Sequence, residues 1–368
     1  MNKELRTLSS RQVTLILLGF TIGAGVLTLP SAAARVFGAS GWVWVLAVGL
    51  LFTGAAFVAV KLAQEFPKET IVEYSQKLLG KPVGILFSLV LALFFFSFIP
   101  IETRVMQELV NISILPSAPT WFVNGLFILT MAYGASREID QLALVNEILI
   151  EIALFVGLFV SILAWQHFKP IHLLPFLAKD QIQLERLGEE IGTAFSYAGF
   201  PAINMILPYI RSPQKASTAT VVGTLLVVVV YTFFTISVLG VFGYYETIHL
   251  SWPGLELAKS VNFEAVILER LDLILLISWI SAIFTTGVLA YFLAALTLSK
   301  LFGVSKHAVV VWAMAPLIYY LSASLKNYFT WNRWGLYISV LTLVISFVFL
   351  PFLYILALIK QRRQQRGR

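Results

Sequence analysis

The chain has 368 residues, of which 59% are hydrophobic and only 12% are charged, and its formal net charge is +7. Long apolar runs recur along it, a pattern typical of a helical protein that crosses the membrane many times. The spans and their short connections use nearly every residue, which excludes a separate soluble domain. The absence of cysteine excludes disulfide bonds and thiolate metal sites.

The apolar runs predict about ten transmembrane helices, each near the ~20 residues that cross a bilayer. We predict a single all-α transmembrane domain, 1–368, made of two inverted five-helix repeats at 12–165 and 189–359. The predicted spans are 12–36, 41–64, 83–109, 119–134, 141–165, 189–210, 216–243, 267–299, 307–323 and 335–359.

Lysine and arginine residues divide unevenly between the two sides of the predicted bundle. With the N-terminus in the cytoplasm, most of them fall on the cytoplasmic side, including the cluster from Lys360 to Arg368. An even number of spans then places both termini in the cytoplasm. This topology and contact with anionic lipids account for the net positive charge, which does not indicate nucleic-acid binding.

The first span is interrupted near its middle by the small residues Gly23, Ala24 and Gly25, just after Thr21. Unwinding a helix there frees backbone N–H and C=O groups that hydrocarbon cannot satisfy, so they must face protein or a wet cavity. A helix-start dipole can then bind a carboxylate, and a helix-end dipole can bind an ammonium group. The alternative is that small residues simply let two helices pack closely.

The third span follows an amphipathic, cationic segment, 65–81, which predicts a short helix on the inner membrane surface. Within the span, Arg104 and Glu108 are four residues apart and can pair along one face. Glu102 points elsewhere and needs a partner, a cavity or a proton of its own. We therefore interpret Glu102 as a substrate-binding or proton-carrying residue, with a structural ion pair as the alternative.

The fifth span carries Glu147 and Glu151 on one helical face. Because like charges at this spacing repel, one of them is protonated or a cation lies between them. A proton or cation route through Glu102, Glu147 and Glu151 is one hypothesis, and two separate interhelical ion pairs are the other.

The sixth span is also interrupted, at Tyr197, Gly199, Phe200 and Pro201. A proline kink repaired by neighbouring helices would explain this segment alone. Breaks at matching positions of two repeats, however, are the best sequence-level indication of a solute site at the membrane midplane. We predict that this site binds a small zwitterion mainly through the main chain, while Tyr197 and Phe200 shape the pocket.

The last segments of interest surround the eighth span. Residues 244–266 predict a re-entrant or capping helix over the outer vestibule, and Glu269, Arg270 and Asp272 then form anchors or an extracellular gate. Further along the span, Thr285 and Thr286 either bond back to their own helix or line the solute site opposite the first break.

Other chemistry is not indicated. A nucleotide-binding G-x-x-x-x-G-K-[ST] run is absent, which argues against ATP-driven transport by this chain. The four histidines show no metal-ligand spacing, and no catalytic constellation is present. We therefore predict neither an enzyme nor a bound metal or cofactor.

At these residues the sequence resembles the permease-like B subunits of GerA-type spore germinant receptors, in the amino acid–polyamine–organocation superfamily. The resemblance covers essentially the whole chain. It rests on GAGVLTLP (Gly23 to Pro30), IETRVMQELV (Ile101 to Val110), SYAGFPAINMILP (Ser196 to Pro208), Trp252-Pro253 and ERLDLILLISWISAIFTT (Glu269 to Thr286).

The resemblance implies a LeuT-like fold with a nutrient pocket between spans one, three, six, eight and ten. Gly23, Ala24 and Gly25 would be backbone ligands, and Phe98 with Thr285 or Thr286 would line the pocket. The implied partners are an A subunit and a C lipoprotein in the inner spore membrane. Superfamily transporters that use a positive group on span five instead of sodium have lysine there, whereas this chain has glutamates.

Three hypotheses follow for the function. The leading one is a sensor that binds a small nutrient, an L-amino acid above all, and signals through its partner subunits. The second is a proton- or cation-coupled amino-acid permease. The third is a channel-like subunit that gates water or ions.

Overall fold

Helices form most of the molecule. The computed structural model describes residues 7–178, 181–183, 185–186, 190–261, 271–325 and 328–366, and within these ranges it contains helices and no named β-strand. The helices of the first half are α1 (Ser10–Thr21), α2 (Gly25–Phe37), α3 (Gly41–Glu65), α4 (Ile71–Leu79), α5 (Lys81–Ser113), α6 (Thr120–Ala135) and α7 (Ile139–Ala164).

The second half has shorter and more irregular helices at its start. Its α-helices are α8 (Ile203–Ile206), α9 (Ala216–Phe242), α10 (Tyr244–Thr247), α11 (Pro253–Lys259), α12 (Leu271–Phe302), α13 (His307–Ser324), α14 (Tyr328–Val344) and α15 (Leu350–Arg366). A π-helical turn, Ile345–Phe349, joins α14 to α15. Short 3₁₀ helices occupy Gly38–Ser40, Trp165–His167, Pro170–Leu173, Glu190–Tyr197, Phe200–Ala202, Leu207–Tyr209 and Pro213–Lys215.

The long helices suit a membrane interior. In the described part of the chain, seven helical segments are long and apolar enough to cross a bilayer. They are Gly25–Glu65, Lys81–Ser113, Ile139–His167, Pro213–Phe242, Leu273–Phe302, His307–Ser324 and Arg333–Arg363. The protein is therefore a multi-pass membrane protein, as predicted. The count of ten crossings stays a prediction, because α6 and the pieces of the two broken spans are short.

Local sequence explains where several helices begin and end. Ser9 accepts a hydrogen bond from Gln12 N–H, and the Gln12 side chain accepts one from Ser9 N–H, so a capping box starts α1. Thr70 and Glu73 form the same arrangement at the start of α4. Gly243 ends α9 with a φ of +75°, a left-handed conformation that a glycine adopts without strain.

Two connecting helices lie in the segments where the sequence predicted them, while their positions at the inner and outer membrane surfaces stay predictions. Helix α4 lies within 65–81, and it buries Ile71, Val72 and Tyr74 against the bundle. Helix α11 lies within 244–266 and packs against α2 and α12. The predicted gate falls on Glu269 and Arg270, which lie outside the described residues, and the Asp272 side chain does too.

The bundle is organised around pairs of long helices, and these pairs position the site. Helix α12 packs along α5, and α3 packs along α9. Helix α1 lies against α7, α9 and α12, while the 3₁₀ helix Glu190–Tyr197 packs against α2 and α14. Both interrupted spans therefore lie inside the bundle, packed against neighbouring helices.

Candidate functional site

The first span is broken where the sequence predicted. Helix α1 ends at Thr21 and α2 begins at Gly25, so residues 22–24 form a non-helical gap, which we call the first break. Ile22 leaves helical geometry with a φ of −89° and a ψ of +80°. A gap of this kind frees carbonyl groups at the end of α1 and N–H groups at the start of α2.

A carboxylate from the third span caps the start of α2. Ala24 N–H lies 3.1 Å from Glu102 Oε2 and 3.3 Å from Oε1, and it donates a hydrogen bond to this carboxylate. Glu102 is only 1% exposed. Its carboxyl oxygens face the positive end of the α2 dipole, which favours a negative charge at this position.

Hydroxyl groups cap the end of α1. Gly23 N–H donates to Thr21 O and leaves Gly19 O without that donor. Gly19 O instead accepts a 2.8 Å hydrogen bond from Thr286 Oγ1. Thr285 Oγ1 lies 3.2 Å from Gly19 O and 2.8 Å from Ala282 O of its own helix, so its one hydrogen is shared between the two. Both threonines thus lie opposite the first break, and Thr285 also bonds back to its own helix, as the alternative interpretation expected. That they line a solute site stays a prediction.

Tyr231 contacts the end of α1 at the first break, and the sequence analysis did not single it out. Its hydroxyl donates a 2.7 Å hydrogen bond to Thr21 O, although it belongs to α9, a span with no other indication of function. Tyr231 is fully buried. The one available signal was a tyrosine in the middle of an apolar span, where its hydroxyl needs a partner.

The sixth span is more irregular than predicted. Residues 189–210 were expected to form one interrupted α-helix, but they form the 3₁₀ helices Glu190–Tyr197 and Phe200–Ala202, then α8, then Leu207–Tyr209. The turn at 198–199 between the first two pieces is the second break. Tyr197 is anchored beside it by a 2.8 Å hydrogen bond from its hydroxyl to Val45 O.

Glycines bring the two breaks into direct contact. A Cβ atom added to Gly25 would lie 2.7 Å from Ser196 Oγ, and one added to Gly199 would lie 2.1 Å from Thr21 Oγ1. A Cβ atom on Gly23 would lie 2.6 Å from Thr286 Oγ1 and 2.8 Å from Glu102 Oε1. The space beside each glycine is already filled, so the two breaks pack closely against each other and against their neighbours.

Aromatic rings surround the two breaks. Phe98 stacks on Phe195 with ring centroids 5.3 Å apart, and it meets Phe20 edge-on at 5.4 Å. Tyr197 and Phe200 both pack against Phe52 of α3. Phe98 therefore covers the side of the first break at which Gly25 meets Phe195, whereas Tyr197 and Phe200 tie the second break to α3.

The remaining predicted charges lie away from the breaks. Arg11, in the first turn of α1, contacts Glu147 at 3.2 Å and also pairs with Glu151. One arginine is thus the cation between these two carboxylates. Arg11 precedes the end of α1 by ten residues, about 15 Å of helix. A proton or cation route through this cluster stays a prediction.

Arg104 and Glu108 form the intrahelical pair that their spacing predicted, with an N–O distance of 3.7 Å. Glu102 points to the first break, away from this pair. Among the described residues, no group of three or more His, Cys, Asp or Glu side chains could hold a metal ion.

Comparison with known proteins shows to which family the chain belongs. The family model described as "Spore germination protein" matches residues 7–329. The chain belongs to this spore germination protein family. Spore germination protein YndE of Bacillus subtilis (strain 168) is 29% identical over 321 residues, which cover 87% of this chain and 88% of YndE. GerLB of Bacillus cereus is 24% identical over 363 residues, which cover 98% of this chain and 96% of GerLB.

Solved structures identify the fold of this spore germination protein as that of LeuT-like transporters. MhsT, whose structure is described in complex with L-phenylalanine, superposes with a TM-score of 0.72 at 14% sequence identity. The match covers 94% of this chain and 87% of MhsT. The predicted all-α, LeuT-like fold class and the predicted resemblance to the GerA-type B subunits are confirmed. The ten spans and the two inverted repeats at 12–165 and 189–359 stay predictions.

Proposed function

We propose that this protein is the nutrient-sensing membrane subunit of a spore germinant receptor. It binds a small germinant, with L-amino acids as the favoured class, at the centre of the two broken spans. It acts in the inner spore membrane with both termini in the cytoplasm, and it passes the signal to an A subunit and a C lipoprotein. Membership of the spore germination protein family supports this assignment.

One observation carries the proposal, namely the convergence of buried polar groups on the first break. The N–H of Ala24, the carboxylate of Glu102 and the hydroxyl of Thr286 come from three different spans and meet beside Gly23. Polar groups inside a membrane protein are costly to place there and mark functional sites by default. The MhsT complex supports an amino acid as ligand, because L-phenylalanine is bound by a protein of this fold.

The closed packing suggests how binding becomes a signal. A ligand at the first break must separate groups that now touch, among them Gly25 and Ser196. The ligand therefore favours an open arrangement of the two broken spans over the closed one. It can shift this equilibrium only by its difference in affinity for the two states, and partner subunits that contact either span can detect the shift.

A coupled amino-acid permease is the second candidate, and the transporter fold favours it. Two measurements on the full-length protein separate the candidates. Thermal unfolding in detergent with each common L-amino acid should give a rise in Tm with at least one of them. Uptake of that amino acid into proteoliposomes should then show no accumulation driven by a proton or sodium gradient.

Each measurement can overturn the assignment. If no L-amino acid raises the Tm, the proposed ligand class is wrong. Saturable, gradient-driven accumulation instead identifies a permease. Replacing Gly25 by leucine fills the contact with Ser196 and should abolish the Tm shift, whereas the same change at Gly54, where nothing lies within 4 Å, should leave it intact.

A further inference from the structure

Glu102 is a buried carboxyl group with few partners in its surroundings. Its two carboxylate oxygens share a single donor, Ala24 N–H, at 3.1 and 3.3 Å. Within the part of the chain that the structure describes, the ion pairs are formed by other carboxylates and none includes Glu102. A buried carboxylate ordinarily has a cation and several hydrogen bonds, because its desolvation is otherwise too costly.

The neighbouring polar groups cannot supply what Glu102 lacks. The hydroxyl groups of Thr286 and Tyr231 donate their hydrogens to carbonyl oxygens at the end of α1. The positive end of the α2 dipole is equivalent to about half a charge, and it already faces Glu102. The unused hydrogen-bonding capacity at the first break therefore belongs to the carboxyl oxygens of Glu102.

This arrangement reverses one expectation from the sequence. A free helix start at the first break would bind the carboxylate of a zwitterion, but the carboxylate of Glu102 already occupies that position. A second carboxylate placed there would be repelled by the first. A protonated amine would instead gain an ion pair and hydrogen bonds in a site of low dielectric constant.

We propose that Glu102 binds the ammonium group of the germinant, so that the ligand class is a small primary amine whose carboxylate is dispensable. This inference rests on the proposed function and specifies its ligand. Glu102 Oε1 and Thr286 Oγ1 lie against the same side of Gly23, so an ammonium group between them reaches both oxygens once the spans separate. The ammonium group thus donates hydrogen bonds to the Glu102 oxygens in addition to the one from Ala24 N–H.

The first test uses the wild-type, full-length protein and three probes for each common L-amino acid. The probes are the amino acid, its amide, which keeps the amine and masks the carboxylate, and its N-acetyl derivative, which does the opposite. The measurement is the rise in Tm as a function of probe concentration. The amide of a stabilising amino acid should also stabilise the protein, and the N-acetyl derivative should not.

The second test removes the ionisable group of Glu102 and keeps the size and shape of its side chain. Glu102→Gln retains an oxygen that accepts from Ala24 N–H, yet it cannot pair with an ammonium group. Its half-saturating concentration for the amide should rise on the order of tenfold to a hundredfold, the worth of one charge-assisted hydrogen bond. Glu108→Gln is the matched control, since Glu108 lies on the same helix and pairs with Arg104 instead, and it should bind the amide as the wild type does.

The outcomes separate this inference from the proposed function. Stabilisation by the N-acetyl derivative but not the amide overturns the role of Glu102 and leaves nutrient sensing standing. A half-saturating amide concentration in Glu102→Gln equal to that of the wild type likewise overturns the role of Glu102 and leaves nutrient sensing standing. If no amino acid or derivative stabilises the wild type, both proposals fail. Should the glutamine variant not fold, the wild-type amide and N-acetyl series still decides.

Discussion

The middle of the bundle and its predicted cytoplasmic face use polar residues in opposite ways. In the middle, Thr286 and Glu102 satisfy single backbone groups of a broken helix, and both are buried. At the predicted cytoplasmic face, ion pairs join helix ends, as where Arg11 meets Glu147 and where Lys300 meets Glu73. The side chain of Arg11 is 66% exposed.

This difference indicates which polar contacts contribute most to the stability of the fold. Water and ions screen exposed pairs, which contribute little. In the interior, a polar group without a partner destabilises the fold by its full desolvation free energy. An added methyl group destabilises it too, because the close packing leaves no space for the extra atoms. Changes in the middle should therefore be large and independent of salt, and changes at the face should be small and dependent on salt or pH.

The largest effect is expected where the two breaks touch. Gly199→Ala places a Cβ atom 2.1 Å from Thr21 Oγ1 and 2.9 Å from the Thr21 backbone nitrogen, which cannot move independently. We expect a loss of about 1–3 kcal/mol of stability, the usual cost of overpacking. Thermal unfolding at low and high salt should show the same loss.

Gly54→Ala is the control for that substitution, because nothing lies within 4 Å of the added atom. It should be neutral or raise stability by up to ~1 kcal/mol through helix propensity. Equal losses for Gly199→Ala and Gly54→Ala would show that the contact between the breaks is not tight.

The next effect tests the hydroxyl cap of α1. Replacing Thr285 and Thr286 together by valine leaves Gly19 O without its two side-chain donors. The double variant should lose about 1–3 kcal/mol, the cost of an unsatisfied buried carbonyl. Either single variant should lose less than the double variant, since the remaining hydroxyl can still donate to Gly19 O, in the case of Thr285 by giving up its bond to Ala282 O. Additive losses in chemical or thermal unfolding would contradict a shared cap.

A smaller effect at the predicted cytoplasmic face should depend on pH. Burial alone raises the pKa of Glu73, but hydrogen bonds from Lys300 and Thr70 outweigh it and hold the pKa below its ordinary value of 4.5. The pair therefore stabilises the fold above pH 4.5, and this contribution is lost as the pH falls through the lowered pKa.

Glu73→Gln should accordingly be less stable than the wild type at neutral pH, and the difference should vanish in acid. Paired thermal unfolding curves across the acid range measure it. A difference that persists or grows below pH 4.5 would mean that the ion pair with Lys300 is not its source.

The smallest effect is expected at Arg11. Arg11→Gln removes the cation between Glu147 and Glu151, which then repel each other on one helical face. Because Arg11 is exposed, the loss in Tm should be below that of the threonine pair and should fade as salt is added. A loss as large as that of Gly199→Ala would instead show that this cluster holds α1 in place.

Much of the fold was predictable because hydrocarbon imposes length and hydropathy on every span. The sequence located the first break at Gly23 to Gly25 and placed a break before Pro201, since small residues and proline interrupt helices there. It also anticipated the pairing of Arg104 with Glu108, which depends only on helical spacing. These are local properties, and the chain carries them without reference to any neighbour.

Other features depended on which helices meet. Glycine spacing did not reveal that Gly199 faces Thr21, and an apolar span gave no sign that Tyr231 caps α1. The two carboxylates of the fifth span required either a proton or a cation between them, and only the packing of α1 against α7 showed that the cation Arg11 lies there.

The sequence by itself thus determined a membrane-embedded helical bundle with two interrupted spans, because the cost of exposing backbone and charge to lipid acts on each segment separately. Only the tertiary structure decided that Glu102 fills the start of α2 and that the breaks close on each other. Those contacts join residues far apart in the chain, and their partners are selected by the three-dimensional arrangement of helices, which no local pattern encodes.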